Sequence, residues 1–292
     1  MFRHAFVAVA VLCSTSPLFA QTAIPHGWTP GPTVGQLGNQ ASVSVPEDYM
    51  FLDAKATKLF LEQNQNIPDG DELVAVLRIG ENDDYWFAIF SYDETGHVDD
   101  SDRSKIDADA LMKSMKKGNE QGNAERRKRG WSELTLEGWH KSPYYDPATN
   151  NLTWATRLDS SGNAVINHSV RLLGRTGTMS VALVADPSMI DTATTEFNDV
   201  LQGYSYNSGR RYAEFVKGDK LAGYGLTALI AGGAGAAAVK SGLLQKAWKF
   251  IVMLFVAAIA GLRKLFGAMS GASGSRNEGG PRPVPVPPPA VR

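Results

Sequence analysis

Acidic side chains gather in one segment of the chain, where they could bind a cation. They are Asp93, Asp99, Asp100, Asp102, Asp107 and Asp109. Carboxylates are ligands that Ca²⁺ prefers, but a calcium-binding loop that began at Asp100 would need glycine at Lys105 and glutamate at Leu111. The sequence therefore predicts no metal site here. It favours a solvated loop in which Asp107 caps a helix.

Histidines, which could act as general bases or zinc ligands, are few and dispersed. The chain has five, namely His4, His26, His97, His140 and His168. None is paired at the HxxxH or HExxH spacing of zinc proteases, and the sequence lacks a GxSxG elbow and a Walker loop. We therefore predict no catalytic residue, no metal and no cofactor. A hydrolase site built from distant residues, such as His140 and Asp146, is the alternative.

Aromatic residues cluster around a predicted hairpin, and this is where we expect a binding surface if the domain has one. Core packing is the competing interpretation, because aromatic side chains at this density either fill a core or line a ligand groove. Two polar residues accompany the aromatic ones. The candidate binding residues are Trp139, His140, Tyr144, Tyr145, Asp146 and Trp154.

A basic cluster runs from Arg126 to Arg129. In a cytosolic protein such a cluster would suggest nucleic-acid binding. Because the two termini of the chain indicate export, as described below, we predict no nucleic-acid partner. A solvated helix face is the simplest interpretation, and contact with anionic lipid headgroups is the functional alternative.

Hydrophobic periodicity and turn residues predict an antiparallel α+β domain. The predicted helices are 108–117, either continued or followed by a second helix to 129, and 187–201. The predicted strands are 41–45, 72–79, 85–92, 134–139, 152–158, 164–173 and 178–185. Strands, a helix, four more strands and a last helix predict one or more sheets covered by helices.

Residues 1–20 have the features of a signal peptide. Arg3 and His4 precede a short apolar stretch, and a small residue precedes the expected cleavage site. The chain has one cysteine, Cys13, so a disulfide framework is excluded. The sequence thus predicts an exported protein whose domain spans residues 21–216.

Two apolar segments predict a membrane anchor at residues 217–266. The first, residues 221–239, has no charged residue and is just long enough to span a bilayer at about 1.5 Å per residue. The second, residues 247–266, spans it only with charged flanking residues, and an interfacial helix is the alternative. From Lys220 onward the chain has nine Lys or Arg residues and one acidic residue. The lysines between the two segments place that link in the cytoplasm and the acidic domain outside.

Small residues recur every four positions in the first apolar segment, at Ala228, Gly232 and Ala236. This spacing lets membrane helices pack closely, so we expect it to support a homo-oligomer. The simpler interpretation is that glycine and alanine are common in membrane helices. Residues 267–292 are rich in Gly and Ser and then in Pro, which predicts a disordered tail.

Three passages of the chain resemble one family. They are VPEDYMFLDA at 45–54, the GW and SPYYDPATNNLTWA motifs within 138–155, and RYAEFVKGDKLAGYGLTALIAGGAGAAAVKSG at 211–242. From Thr33 to about Gly267 the chain resembles the bacterial family called domain of unknown function 2167, described as predicted membrane-anchored proteins. The resemblance implies an exported, anchored domain without an established activity and transfers no catalytic residue. The strand order and the last helix also resemble PsbP/Mog1-like α+β sandwiches.

These expectations combine into one functional hypothesis. We predict an inner-membrane protein of the bacterial envelope, with a soluble domain in the periplasm that acts as a non-enzymatic binding or assembly module. An envelope hydrolase with an undetected site and a small-ligand sensor or carrier are the alternatives. The expected partners are membrane lipids, envelope proteins and a second copy of the chain.

Overall fold

The computed structural model describes residues 25–66, 68, 74–79 and 85–230. The predicted signal peptide (1–20), the second apolar segment (247–266) and the tail (267–292) lie outside the described residues. So does the second half of the first apolar segment, with Gly232 and Ala236.

The described residues form strands and helices in an order close to the predicted one. The helices are α1 Ala54–Gln63, α2 Ala108–Lys128, α3 Ile190–Gln202 and α4 Leu226–Ile230. The strands are β1 Trp28–Pro30, β2 Thr33–Leu37, β3 Ala41–Val45, β4 Tyr49–Leu52, β5 Val74–Ile79, β6 Tyr85–Asp93, β7 Thr135–Asp146, β8 Asn151–Ser160, β9 Asn163–Leu173, β10 Thr178–Ala185 and β11 Tyr204–Tyr206.

Two antiparallel sheets organise the domain. The main sheet has eight strands in the order β1-β4-β5-β6-β10-β9-β8-β7, and the small sheet has three in the order β11-β3-β2. Neighbouring strands within each sheet run antiparallel. The predicted α+β class with antiparallel sheets and few helices is therefore confirmed.

Both faces of the main sheet are covered. Helix α1 packs on β4 and β5, α2 packs on β7, and α4 adds three residues to the same core, so we call this side the helical face. Helix α3 and the small sheet cover the other side, the small-sheet face. Because both sides are buried, β10 is apolar or small at nearly every position and buried at all of them.

The alternation of side chains along β6 shows how the sequence feeds both cores. Trp86, Ala88 and Phe90 enter the small-sheet core, whereas Phe87 and Ile89 enter the core of the helical face. Successive side chains of a strand point to opposite faces, so an unbroken apolar run fits a strand that is buried on both sides. The strand therefore lies near the middle of the sheet, next to β10.

Helix α1 was not predicted from the sequence. Asp53 starts it, because its carboxylate accepts a hydrogen bond from the Ala56 backbone N–H at 2.8 Å. Its buried positions include Phe60 and Leu61, but Leu59 beside them is half exposed. The apolar pattern is therefore weak. The helix is stabilised mainly by its burial against the sheet, which the sequence pattern does not show.

Strand β7 runs well beyond its predicted end at Trp139, to Asp146. It is the last strand of the sheet, and its pairing with β8 shifts register at several points. Residues 140–142 are polar and exposed, as suits an edge strand. A strand that bends and is exposed does not show the strict alternation on which the sequence prediction depended.

Candidate functional site

The predicted aromatic cluster is divided by the structure. Trp154 is buried, and Trp139 and Tyr145 pack against the same core on the helical face. The indole N–H of Trp139 donates to the Ala108 carbonyl at 3.2 Å, which joins β7 to the start of α2. These three rings thus fill the core, which was the competing interpretation of the aromatic density.

The other predicted binding residues lie elsewhere on the hairpin. His140 and Tyr144 are exposed on β7, and the Lys141 ammonium lies 4.7 Å from the centre of the Tyr144 ring. Asp146 closes the β7–β8 turn, because its carboxylate accepts from the Ala148 N–H and the Thr149 hydroxyl, both at 2.9 Å. These hydrogen bonds, that from Ala148 foremost, lower the pKa of Asp146. The six residues therefore do not converge on one site.

A different residue, Arg171 on β9, has the most unusual environment of the helical face. Its guanidinium lies 4.8 Å from the centre of the Trp154 ring. Within the described part of the chain, its hydrogen bonding consists of a long contact of 3.5 Å from Nη1 to the adjacent Val170 carbonyl. No carboxylate of the described residues lies within ion-pair distance of it. Burial lowers the pKa of Arg171 to about 10, partly offset by Asp93.

Polar groups of neighbouring strands surround this arginine. Ser180 on β10 lies directly opposite Arg171 in the ladder, and its hydroxyl donates to the Asp93 carboxylate at 2.9 Å. Burial raises the pKa of Asp93, while Arg171 and the Ser180 hydrogen bond act in the opposite direction. The hydroxyl of Thr178 is buried and finds no hydrogen-bond partner among the described residues. We call these residues the arginine site: Asp93, Trp154, Arg171, Thr178 and Ser180.

Sequence reasoning missed Arg171, although one signal for it exists. In β9, Asn167, Ser169 and Arg171 stand at every second position, so the three polar side chains share one face of the strand. That face would normally be solvated. Only the structure shows that helices and a later part of the chain cover it.

The covering segment is the strap, residues 207–230, which returns across the helical face. Arg175 and Asp219 form a two-pronged ion pair, with Nε–Oδ2 at 2.7 Å and Nη2–Oδ1 at 2.9 Å. The hydrogen bonds from Arg175 are the main reason that the pKa of Asp219 falls to about 2. The His97 ring stacks on Tyr212 and on Phe215, with centroids 4.4 Å and 4.0 Å away. These contacts make the strap part of the folded domain.

Backbone hydrogen bonds continue this docking toward the end of the strap. The His97 N–H donates to the Lys220 carbonyl, and the Ala222 N–H donates to the His97 carbonyl, both at 2.8 Å. Asp102 then caps α4, because its carboxylate accepts from the Leu226 N–H at 3.0 Å and from the Thr227 hydroxyl at 3.3 Å. The strap is therefore held at several points along its length.

The acidic segment is used for these structural purposes. Asp99 accepts from the Ser101 N–H, Asp102 caps α4, and Asp107 caps α2 as predicted. Among the residues that the structure describes, no group of three His, Cys, Asp or Glu is arranged to hold a metal ion. The geometry thus gives each of these three carboxylates a partner from the backbone.

The basic cluster is also part of the local structure. Arg126 is buried, and its guanidinium donates to the carbonyls of Ser132 and Gln65. Lys128 and Arg129 both pair with Glu125 on the exposed side of α2. This arrangement fits a solvated helix face with one buried arginine that fixes the end of the helix.

The end of the strap is buried against the domain. Leu226, Leu229 and Ile230 are 0%, 4% and 2% exposed and belong to the core of the helical face. They are also the middle of the first apolar segment, which was predicted to cross a membrane. Of the helices in the described part of the chain, none combines the length and the apolar character that a membrane crossing needs.

We expect the replacement of Arg175 by glutamine to loosen the strap without unfolding the domain. The Val216 N–H donates to Asp219, so loss of the ion pair removes the anchor of this turn. Hydrogen exchange of the full chain, measured by mass spectrometry, should be several-fold faster in residues 216–222. The control is Arg157→Gln, which breaks an exposed pair with Glu137 on the main sheet. Equal exchange of the strap in the two variants would contradict its docking through Arg175.

Comparison with known proteins gives a family. Residues 29–263 match the family described as "Protein of unknown function (DUF2167)". The chain belongs to this family. The match covers the two sheets, the strap and part of the predicted anchor, as expected from the resemblance. No curated protein matches the chain.

Two solved structures are similar to this member of the family. One is the solution structure of cyanobacterial PsbP from Synechocystis sp. PCC 6803, at 13% identity, covering 66% of this chain and 100% of that one, with a TM-score of 0.35. The other is a crystal structure from Bacteroides thetaiotaomicron VPI-5482, at 10% identity, covering 81% and 70%, with a TM-score of 0.25.

Proposed function

We propose that the chain is a membrane-anchored envelope protein whose domain is a non-enzymatic binding or assembly module in the periplasm. The observation that carries the proposal is the docked strap, which joins the domain to the part of the predicted anchor that follows residue 230. A flexible linker would need none of the strap contacts. The ion pair of Arg175 with Asp219, the stacked His97 ring and the Asp102 cap hold the exit of the chain at a fixed place on the domain.

The surface around this exit has the chemistry of a membrane-facing loop. Val216 and Leu221 are 52% and 59% exposed, and Lys217 and Lys220 between them are exposed as well. Apolar side chains beside lysines suit the headgroup region of a bilayer, where the ammonium groups reach anionic lipid. We propose that this loop rests against the membrane surface.

The buried end of the strap limits which of the two apolar segments could cross a membrane. With residues 221–230 docked on the domain, residues 231–239 are left of the first apolar segment. As a helix they would extend about 14 Å, whereas the hydrocarbon core is about 30 Å thick. The docked strap and a crossing by residues 221–239 are therefore mutually exclusive. We propose that residues 247–266 provide the crossing while the strap is docked. In this arrangement Lys240 and Lys246 stay on the side of the domain, contrary to the orientation expected from two crossings, and the arginines after residue 266 mark the cytoplasmic side.

Binding is favoured over catalysis by the chemistry of the helical face. The arginine site offers a cation on an aromatic ring, which is suited to recognition. Asp146, which was considered with His140 for a hydrolase site, accepts two hydrogen bonds within the turn of the β7–β8 hairpin. The hypothesis of an envelope hydrolase thus has no geometric support from this residue.

Fractionation of the full chain tests the proposal. We expect the protein to stay with the membranes after carbonate extraction, and added protease to digest the domain in spheroplasts but not in intact cells. Partners captured by cross-linking before solubilisation should be retained by His140→Ala and Asp146→Asn variants, since a binding module does not need an acid or a base there. Recovery in the soluble cytosolic fraction with residues 1–20 intact would overturn the proposal.

A further inference from the structure

Arg171 is a partly buried cation, and the described residues use few of its hydrogen-bond donors. A guanidinium has five N–H donors, and here the described residues take up one of them, through a contact of 3.5 Å. A charge with its hydrogen bonds unmade is costly to cover, since protein groups have not replaced the lost water. Arg171 can therefore still bind an anionic group through its charge and its unused N–H donors.

The described groups next to Arg171 neither neutralise its charge nor accept its remaining hydrogen bonds. The Trp154 ring supports one side of the guanidinium at 4.8 Å but neutralises no charge. Asp93 acts on Arg171 from beyond ion-pair distance, and its carboxylate accepts from Ser180 instead. Tyr224 of the strap is close enough for Arg171 to influence its pKa, but a neutral hydroxyl does not balance a cation. None of these three groups forms a hydrogen bond or an ion pair with the guanidinium of Arg171.

The site also has a route to solvent and a spare hydroxyl. Arg171 keeps some exposure, as does Ser169 beside it on the same face of β9. The buried hydroxyl of Thr178 on the next strand has no hydrogen-bond partner in the part of the chain that the structure describes. Arginine binds carboxylate and phosphate oxygens through two parallel N–H donors, and hydroxyls complete such sites.

We propose that the arginine site binds the oxyanion group, carboxylate or phosphate, of a small ligand, with Arg171 as the cationic contact. This inference rests on the proposed binding function and names the chemical class of its ligand. The Trp154 ring orients the guanidinium, and Asp93 and Ser180 hold the strand ends around it. Tyr224 of the strap packs on the core to which Trp154 belongs, so the ligand binds on the face of the sheet where the strap docks.

Thermal unfolding of the full chain in detergent tests this inference. Sodium phosphate and sodium acetate are titrated separately against sodium chloride at constant ionic strength. At saturation by its preferred anion, we expect the melting temperature to rise by about 2–4 °C or more. The two salts distinguish a phosphate site from a carboxylate site. Arg157→Gln, which removes an exposed arginine of the neighbouring strand, should show the same rise as the wild type.

The variant that decides is Arg171→Met, which keeps the length of the side chain and removes the charge. We expect it to melt at the same temperature in each salt. If this variant fails to fold by circular dichroism, Arg171→Lys takes its place, and the rise should then shrink by at least half because a lysine cannot form the two-pronged contact. No rise in the wild type, or an equal rise in the Arg171 variant that folds, would overturn the inference.

Failure here and failure of the proposed function give different results. Arg171 takes no part in membrane attachment, so its variants should fractionate like the wild type. Attached protein without an anion response refutes the oxyanion site alone. Protein that is cytosolic and soluble but responds to the anion refutes the proposed function alone.

Discussion

Replacement of His168 by leucine should abolish most of the decrease in stability that the wild type shows when the pH falls from 6.5 to 4. His168 is 6% exposed on β9, with its ring edge-on to Phe197 at 6.3 Å. Burial lowers its pKa from 6.5 to about 4, and the nearby charges of Lys141 and His140 act in the same direction. Below pH 6.5 the unfolded chain binds a proton that the folded chain refuses until about pH 4. The wild type therefore becomes less stable as the pH falls, by about 3 kcal/mol over the window.

Urea unfolding of the full chain in detergent at pH 7, 5.5 and 4 measures this effect. The control is His140→Gln, which removes an exposed histidine of the next strand but one and should keep most of the pH dependence, because burial is the main cause of the low pKa of His168 and the charge of His140 is a minor one. His97 has a pKa that burial also lowers, so some dependence should remain in the leucine variant. An unchanged loss of stability in His168→Leu would show that this ring is not held neutral by burial.

Replacement of Leu226 by alanine should lower the free energy of unfolding by about 2–4 kcal/mol, as expected for a leucine in a packed core. Leu226 is fully buried at the start of α4, next to the Asp102 cap. Leu221→Ala is the matched control, because Leu221 lies in the same apolar segment but is 59% exposed. Its replacement should change stability by no more than about 0.5 kcal/mol. Urea unfolding of the full chain, followed by tryptophan fluorescence, measures both.

The pair of leucines distinguishes a docked strap from a membrane helix that starts at residue 221. In a membrane helix, both side chains would face lipid or detergent, and both replacements would leave the unfolding of the domain unchanged. Two small and equal effects would therefore contradict the docking of α4. They would also return the crossing to residues 221–239.

The strands with strong patterns could be predicted, and those with weak patterns could not. The β5–β6, β7–β8 and β9–β10 pairs are the predicted ones, because their apolar runs and turn residues are local signals. Helix α1 could not be predicted, because its apolar pattern is weak and its burial depends on contact with the sheet. The small sheet pairs β3 with β11 from the far end of the domain, and no local pattern announces such a partner.

The candidate site shows the same division between local and distant information. Trp154 was identified from its type, and the structure places it beneath Arg171. The electrostatic environment of Arg171 includes Asp93, which lies 78 positions earlier in the sequence, and Tyr224 in the strap. The ion pair that fixes the strap likewise joins Arg175 to Asp219, 44 residues apart. Such relations arise only from tertiary structure.

The docked strap has a mechanical consequence for a chain that is tied to a bilayer. A domain on a slack tether tumbles and presents every side to its surroundings. Here, tension on Ile230 would load the Asp102 cap and the His97 bridge, so the domain would turn together with its tether. Force that the anchor passes on would thus enter the domain at one defined place, the helical face.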